Sequence, residues 1–135
     1  MKSRFEKEII VAQHHIDELK HVNNVVYVQW VQDIAGEHWL SQVSEEIKQS
    51  VLWVVKRHVI DYKAPCWLHE KLLIKTETPE KYHGPLWDRN IWIYKPGDQL
   101  AVEAVTTWCL LDRKSQRPIR ITPEIHQVFI ENASS

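Results

Sequence analysis

The chain has 135 residues, 44% hydrophobic and 26% charged, with a formal net charge of -1, which fits one folded domain over 1–135 with a substantial core and excludes a disordered chain. Its three glycines, Gly36, Gly84 and Gly97, leave no glycine-rich loop of the dinucleotide or P-loop kind, and the balanced charge offers no basic arm to nucleic acid. Cys66 and Cys109 have no CxxC spacing, the N-terminal stretch MKSRFEKEII is too charged for a signal peptide, and no apolar run approaches the roughly 18 residues of a membrane span; a cytoplasmic location is the expectation.

Residues 4–13 (RFEKEIIVAQ) read as a first strand, followed by the polar break QHHIDELKH. From Asn24 the pattern becomes helical. Tyr27, Val31, Ile34 and His38 fall on one stripe, flanked by Val28, Ala35 and Trp39, which predicts a helix of about four or five turns, apolar over much of its circumference. Asn23 or Asn24 is its N-cap. Gly36 inside this helix costs about 1 kcal/mol relative to alanine, so a close packing contact is expected there.

SEEIKQS provides one short helical turn, and the next four segments read as strands: LWVVKRHVIDY, KLLIKTET, RNIWIY and QLAVEAVTTWCLLD. Lys95-Pro96-Gly97-Asp98 suits a type II turn, making the last two an antiparallel hairpin. ITPEIHQVF closes the pattern as a short helix, with Thr122 as N-cap and Pro123 in its first position. One antiparallel sheet and one nearly all-round apolar helix are packed most economically by curling the sheet around the helix.

The polar loop before the long helix concentrates Asp17, His21, Asn23 and Asn24 at a helix N-terminus, where unpaired N–H donors and a partial positive charge of about half an electron are available. Such an end suits an oxygen that becomes negative in a reaction, as a thioester carbonyl does under attack, and each oriented donor there can contribute roughly 3 kcal/mol. Asp17 would attack the carbonyl or activate water. A carboxylate with the reference pKa of about 3.9 is a weak base at neutrality, so both routes stay open. His21 can orient Asp17, a water or the carbonyl. Taken singly, Asp17 could equally make an Asx-type turn, Asn23 and Asn24 could simply cap, and Tyr27 could be a core aromatic. The eight histidines have no HExxH or Cys-His framework, so no metal is expected. Cys66 and Cys109 are expected to be buried in strands, and Lys56, Arg57, Lys63, Arg89, Arg113 and Lys114 to lie mainly on solvated strand faces.

The pattern D-x-x-x-H-V-N-N-x-x-Y from Asp17 to Tyr27, with R-x-x-x-D-Y-x-x-P at Arg57, Asp61, Tyr62 and Pro65, resembles the hotdog-fold acyl-CoA thioesterases, of the hydroxybenzoyl-CoA and acyl-ACP thioesterase-like branch. The resemblance covers nearly the whole chain. It implies an α+β hotdog fold, with a five-stranded antiparallel sheet wrapped around a long central helix and a short C-terminal helix. It also implies hydrolysis of acyl-CoA or acyl-ACP without a cofactor, coenzyme A entering only as part of the substrate, in fatty acid metabolism. A homodimer or homotetramer, joined edge to edge with sites at the subunit interface, is implied as well.

By the same resemblance Asp17 matches the catalytic carboxylate, and His21 the histidine of the acyl-ACP branch. The Asn24 N–H matches the donor to the thioester carbonyl, and Asn23, Asn24 and Tyr27 match positions that shape the substrate pocket. Glu70 matches an often acidic position. Leu19 stands where that branch carries Asn, and Lys20 where Gly is frequent. A non-catalytic acyl-thioester binding protein and an enoyl-thioester hydratase or dehydratase are the alternatives.

Overall fold

A computed structural model describes residues 2–131. In chain order the elements are β1 (Arg4–Ile10), a 3-10 turn (Gln13–His15), α1 (Asn24–Gln42), α2 (Glu45–Ser50), β2 (Val51–Tyr62), β3 (Lys71–Glu77), β4 (Leu86–Lys95), β5 (Gln99–Asp112) and α3 (Pro123–Phe129). The five strands form one antiparallel sheet in the order β1-β3-β4-β5-β2. Since β1 and β2 lie at opposite edges, the segment between them must cross the sheet, and α1 makes that crossing. The expected α+β architecture is present.

Local chemistry accounts for the boundaries. β1 stops at Ile10, short of the expected Gln13, because the next residues bond elsewhere: the Val11 N–H donates to the Glu70 carbonyl and the His15 N–H to the Ala12 carbonyl. Asn23 caps α1 by accepting from the Val25 N–H at 3.0 Å, Ser44 caps α2, and the Thr122 hydroxyl oxygen accepts from the Ile125 N–H at 3.3 Å ahead of Pro123. Gly97 has φ +80 in the β4–β5 turn, the left-handed geometry expected of its position.

α1 buries Tyr27, Trp30, Val31, Ile34, Ala35 and His38. Facing them across the core are Leu72, Ile74, Ile91, Ile93 and Val102 from the sheet, all fully buried. At the C-terminal end of α1 a second cluster joins Val51, Trp87 and Leu110 to Ile125, Val128 and Phe129, so α3 closes that end of the core. Three expectations fail in detail. Gly36 is exposed with nothing within 4 Å of where a Cβ would stand, so it makes no close contact. Cys66 is buried but sits in the β2–β3 loop, whereas Cys109 is in β5 as expected. Arg89 is 5% exposed, and no solvated strand face holds it.

Arg89 and His38 form the buried polar pair of the core. Arg89 Nη1 donates to His38 Nδ1 at 2.8 Å and to Thr76 Oγ1 at 3.2 Å, and its guanidinium lies 4.9 Å from the Phe129 ring centroid. Because Nδ1 accepts, the His38 proton sits on Nε2, which donates to the Lys2 carbonyl at 2.6 Å. Burial, with the Arg89 charge adding to it, pushes His38 down to about 4 from 6.5. Between those values the unfolded chain binds the extra proton and the native chain does not. His38 should therefore cost nothing above pH 6.5 and withdraw up to about 3 kcal/mol as the pH falls toward 4. Urea unfolding of wild type and His38→Asn at pH 7 and pH 4.5 checks this: the variant should lose less stability between the two.

Candidate active site

The loop from His15 to Asn23 is a small closed hairpin. The Asn23 N–H donates to the His15 carbonyl, the Asp17 N–H to the His21 carbonyl, and the Lys20 N–H to the Asp17 carbonyl, each at 3.0 Å. Its return arm is anchored to the β2–β3 loop, where the Val22 N–H donates to the Cys66 carbonyl at 2.9 Å and His21 forms a bridge with Trp67. Two loops far apart in sequence thus hold one another at the start of α1.

Asp17 divides its work between its two oxygens. Oδ1 accepts from the Leu19 N–H at 2.9 Å, an Asx-type turn that fixes the carboxylate, and Oδ2 stands 3.6 Å from His21 Nδ1, with both side chains 29% exposed. That separation is an ion-pair distance and too long for a hydrogen bond. The Asx reading is met here and does not use up the carboxylate: the turn holds Oδ1 and leaves Oδ2 and the imidazole partly exposed.

At the helix start the donors are unequal. The Val25 N–H goes to the Asn23 side chain and the Val26 N–H to the Asn23 carbonyl, while the Asn24 N–H donates to no group among the described residues. One backbone donor is therefore free beside a capped helix end with its partial positive charge. Asn23 and Asn24 are both exposed.

Tyr27, one turn on, is buried, packing edge-on to Trp30 at 5.7 Å and against Tyr62 at the same centroid distance. Its hydroxyl has no hydrogen-bond partner among the described residues. Burial drives its ionisation well above the usual range, with Cys66 nearby adding to the effect.

Trp67 was not a candidate from the sequence. It is 44% exposed, and its ring meets His21 edge-on at 5.7 Å. Glu70 supports it from behind: Oε1 accepts from the Trp67 N–H at 2.7 Å and lies 3.5 Å from Lys95 Nζ. Glu70 is thus tied to its own chain. The sequence carried no signal for it, because nothing local links positions 21 and 67.

Among the described residues no group of three His, Cys, Asp or Glu side chains could hold a metal ion, and no helix is long and apolar enough to cross a membrane. A thioesterase-like superfamily model matches residues 11–129, spanning the loop, α1, the strands that follow and α3. The chain belongs to the thioesterase-like superfamily. It is 21% identical over 124 residues to the long-chain acyl-CoA thioesterase FadM of Escherichia coli, covering 90% of this chain and 94% of that one.

Two solved structures share the fold. One is the 1,4-dihydroxy-2-naphthoyl-CoA thioesterase Slr0204 of Synechocystis, with TM-score 0.79, 17% identity, and 93% and 95% of the two chains covered. The other is a 4-hydroxybenzoyl-CoA thioesterase, crystallised as an aspartate-to-asparagine variant with 4-hydroxybenzoyl-CoA, with TM-score 0.84, 9% identity, and 95% and 99% covered. The hotdog thioesterase fold and family expected from the loop motif are borne out.

Lys20 carries the backbone cost of the loop. Its φ is +68, a left-handed geometry that costs a side-chain-bearing residue about 1 kcal/mol and glycine almost nothing. Lys20→Gly should raise stability in urea unfolding by about 0.5 kcal/mol, the gain being partly offset by the greater freedom of glycine in the unfolded chain.

Proposed function

We propose that the protein hydrolyses acyl-CoA thioesters at the loop before α1, using Asp17 and the Asn24 N–H. The observation that carries this reading is the free Asn24 donor at the helix start, in the same closed loop as a carboxylate with one uncommitted oxygen. The thioester carbonyl oxygen accepts from the Asn24 N–H, and its growing negative charge is stabilised by that donor and the helix end. Asp17 Oδ2 either takes a proton from the attacking water, the carbon–sulfur bond then breaking to release coenzyme A and the free acid, or attacks the carbonyl carbon itself, expelling coenzyme A and leaving a mixed anhydride that water hydrolyses to the free acid and the Asp17 carboxylate. His21 faces Oδ2 and orients the nucleophile. Asn23 holds the donor geometry through its cap, Tyr27 and Tyr62 back the helix start, and the reaction uses no cofactor.

The working unit is a homodimer joined through β2. Both outer strands have an unpaired side, but β1 carries charges at Arg4, Glu6, Lys7 and Glu8 in 7 residues and exposes only Ile10 at its end, whereas β2 spreads Lys56, Arg57 and Asp61 over 12 residues and exposes Val54, Val59 and Tyr62. Light scattering after size exclusion should give twice the chain mass of 16.1 kDa, and Val59→Lys should shift the mass toward that of one chain.

Two substitutions test the chemistry by thiol release from short, long and aromatic acyl-CoAs. Asp17→Ala should lower turnover by about 10²-fold or more. Asn24→Pro removes the donor alone, because proline suits the first helical position and Asn23 already has the extended φ of -65 and ψ of 137 that a following proline requires. It should fold normally and lose about 10²-fold in kcat, while Asn24→Ala stays near wild type. Wild-type rates for a folded Asp17→Ala variant, or acyl-CoA binding without thiol release by the wild-type protein, would sink the reading.

A further inference from the structure

A cavity of about 280 Å³ lies at the opposite end of α1 from the loop, between Gly36 and Trp39 of the helix and the sheet. Gly36 is twelve residues from Asn24, about 18 Å along the axis at 1.5 Å per residue. The walls are largely aromatic: Trp39, Trp53, Trp87, Trp108 and Phe129 line the cavity, and the missing side chain of Gly36 leaves it open on the helix side. Its size approaches the lower end of small-molecule pockets, roughly 300 Å³. That suits a ring system or a medium-length aliphatic chain and is too small for a whole acyl-CoA.

This apolar cavity contains a buried cation. Arg89 lines it at 5% exposure, and only Nη1 is engaged, to the neutral His38 and to Thr76; the guanidinium has no carboxylate partner among the described residues, and Nε and Nη2 have no hydrogen-bond partner there. Burial pushes Arg89 down to about 9, which leaves it charged at neutrality. Three further lining groups lack partners: the indole N–H of Trp53, that of Trp108, and the Thr78 hydroxyl. Unpaired buried donors are costly, and a buried unpaired charge more so. The more exposed lining residues add Lys48, 3.8 Å from Glu45 Oε2, and Arg113, whose Nη2 donates to the Lys48 and Val51 carbonyls, while the single lining carboxylate, Asp88, already accepts from the Thr107 hydroxyl at 2.6 Å. What the cavity lacks is an anionic acceptor.

We propose that this cavity binds a small monocarboxylate with an apolar body, its carboxylate on Arg89 and its body laid against the wall of mutually packed rings that Trp39, Trp53, Trp87 and Phe129 form. A carboxylic acid is the chemical class that thioester hydrolysis releases, but the site is separate from the Asp17 loop and its occupancy does not depend on Asp17 being catalytic. The thioester of the same acid has no free carboxylate and is not a ligand of Arg89.

Calorimetric titration with 1-naphthoate and its neutral counterpart 1-naphthylmethanol tests this in the wild-type protein. The acid should bind about tenfold more tightly or better, the discrimination expected of a hydrogen bond to a buried charge. Arg89→Gln should erase the difference, and Asp17→Asn should preserve it, which separates this site from the proposed catalytic one. Equal affinity for acid and alcohol overturns the proposal without any variant, so a failure of Arg89→Gln to fold does not protect it. If Arg89→Gln folds and raises KM for 1-naphthoyl-CoA as much as it weakens the acid, the cavity belongs to the thioester site and the separate site is disproved.

Discussion

The structure depends on burying one side of α1 across a sheet whose first two strands lie at opposite edges. Tyr27, Trp30, Val31, Ile34 and His38 supply that side, and Leu72, Ile74, Ile91 and Ile93 receive it. At about 1.5 to 3 kcal/mol for each large side chain buried, these contacts fix where the helix lies on the sheet, while its Asn23 cap sets where it starts. Burial also fixes the position of the helix's unpaired donors relative to the sheet, whatever the loop ahead of it does.

The loop adapts to that fixed helix end. A helix leaves its first N–H groups unpaired. Asn23 satisfies two with its side chain and its own carbonyl, and the Asn24 donor remains. Keeping Asp17 in the same closed loop requires a tight reversal between Asp17 and His21, and Lys20 takes the left-handed backbone that closes it. The reversal would hold poorly alone. Its bonding of Val22 to the Cys66 carbonyl and the bridge from His21 to Trp67 tie it to the β2–β3 loop, which Glu70 and Lys95 brace in turn. A surface loop thereby gains positional precision from distant elements.

Much of this was legible in the sequence because it is local. Periodicity located the start of α1 within a residue, β propensity and turn residues located four strands and the β4–β5 turn, and Asn23 and Thr122 were caps at the expected ends. What failed was non-local. Gly36 was assigned a packing partner because a glycine in a helix has a cost, but sequence cannot say whether the space beside it is filled. Arg89 looked like a solvated cation on a strand, since alternation alone does not reveal that its side of β4 points at His38 and Phe129. Trp67 was missed as a site residue, because its neighbour His21 is 46 positions away in a chain whose spacing carries no such pairing.

The two ends of α1 face opposite electrostatic problems. At the N-terminus the free donor is near solvent, so leaving it unpaired costs little. At the other end Arg89 is deep, and its stabilisation comes from a neutral imidazole, a hydroxyl and an aromatic face. None of these carries a negative charge. A protein held only by packing would gain from replacing such a guanidinium with an apolar side chain of similar volume. Because Arg89 lines open space as well as protein, no contact among the described residues neutralises its charge, and burial, with that charge adding to it, keeps the His38 imidazole beside it neutral.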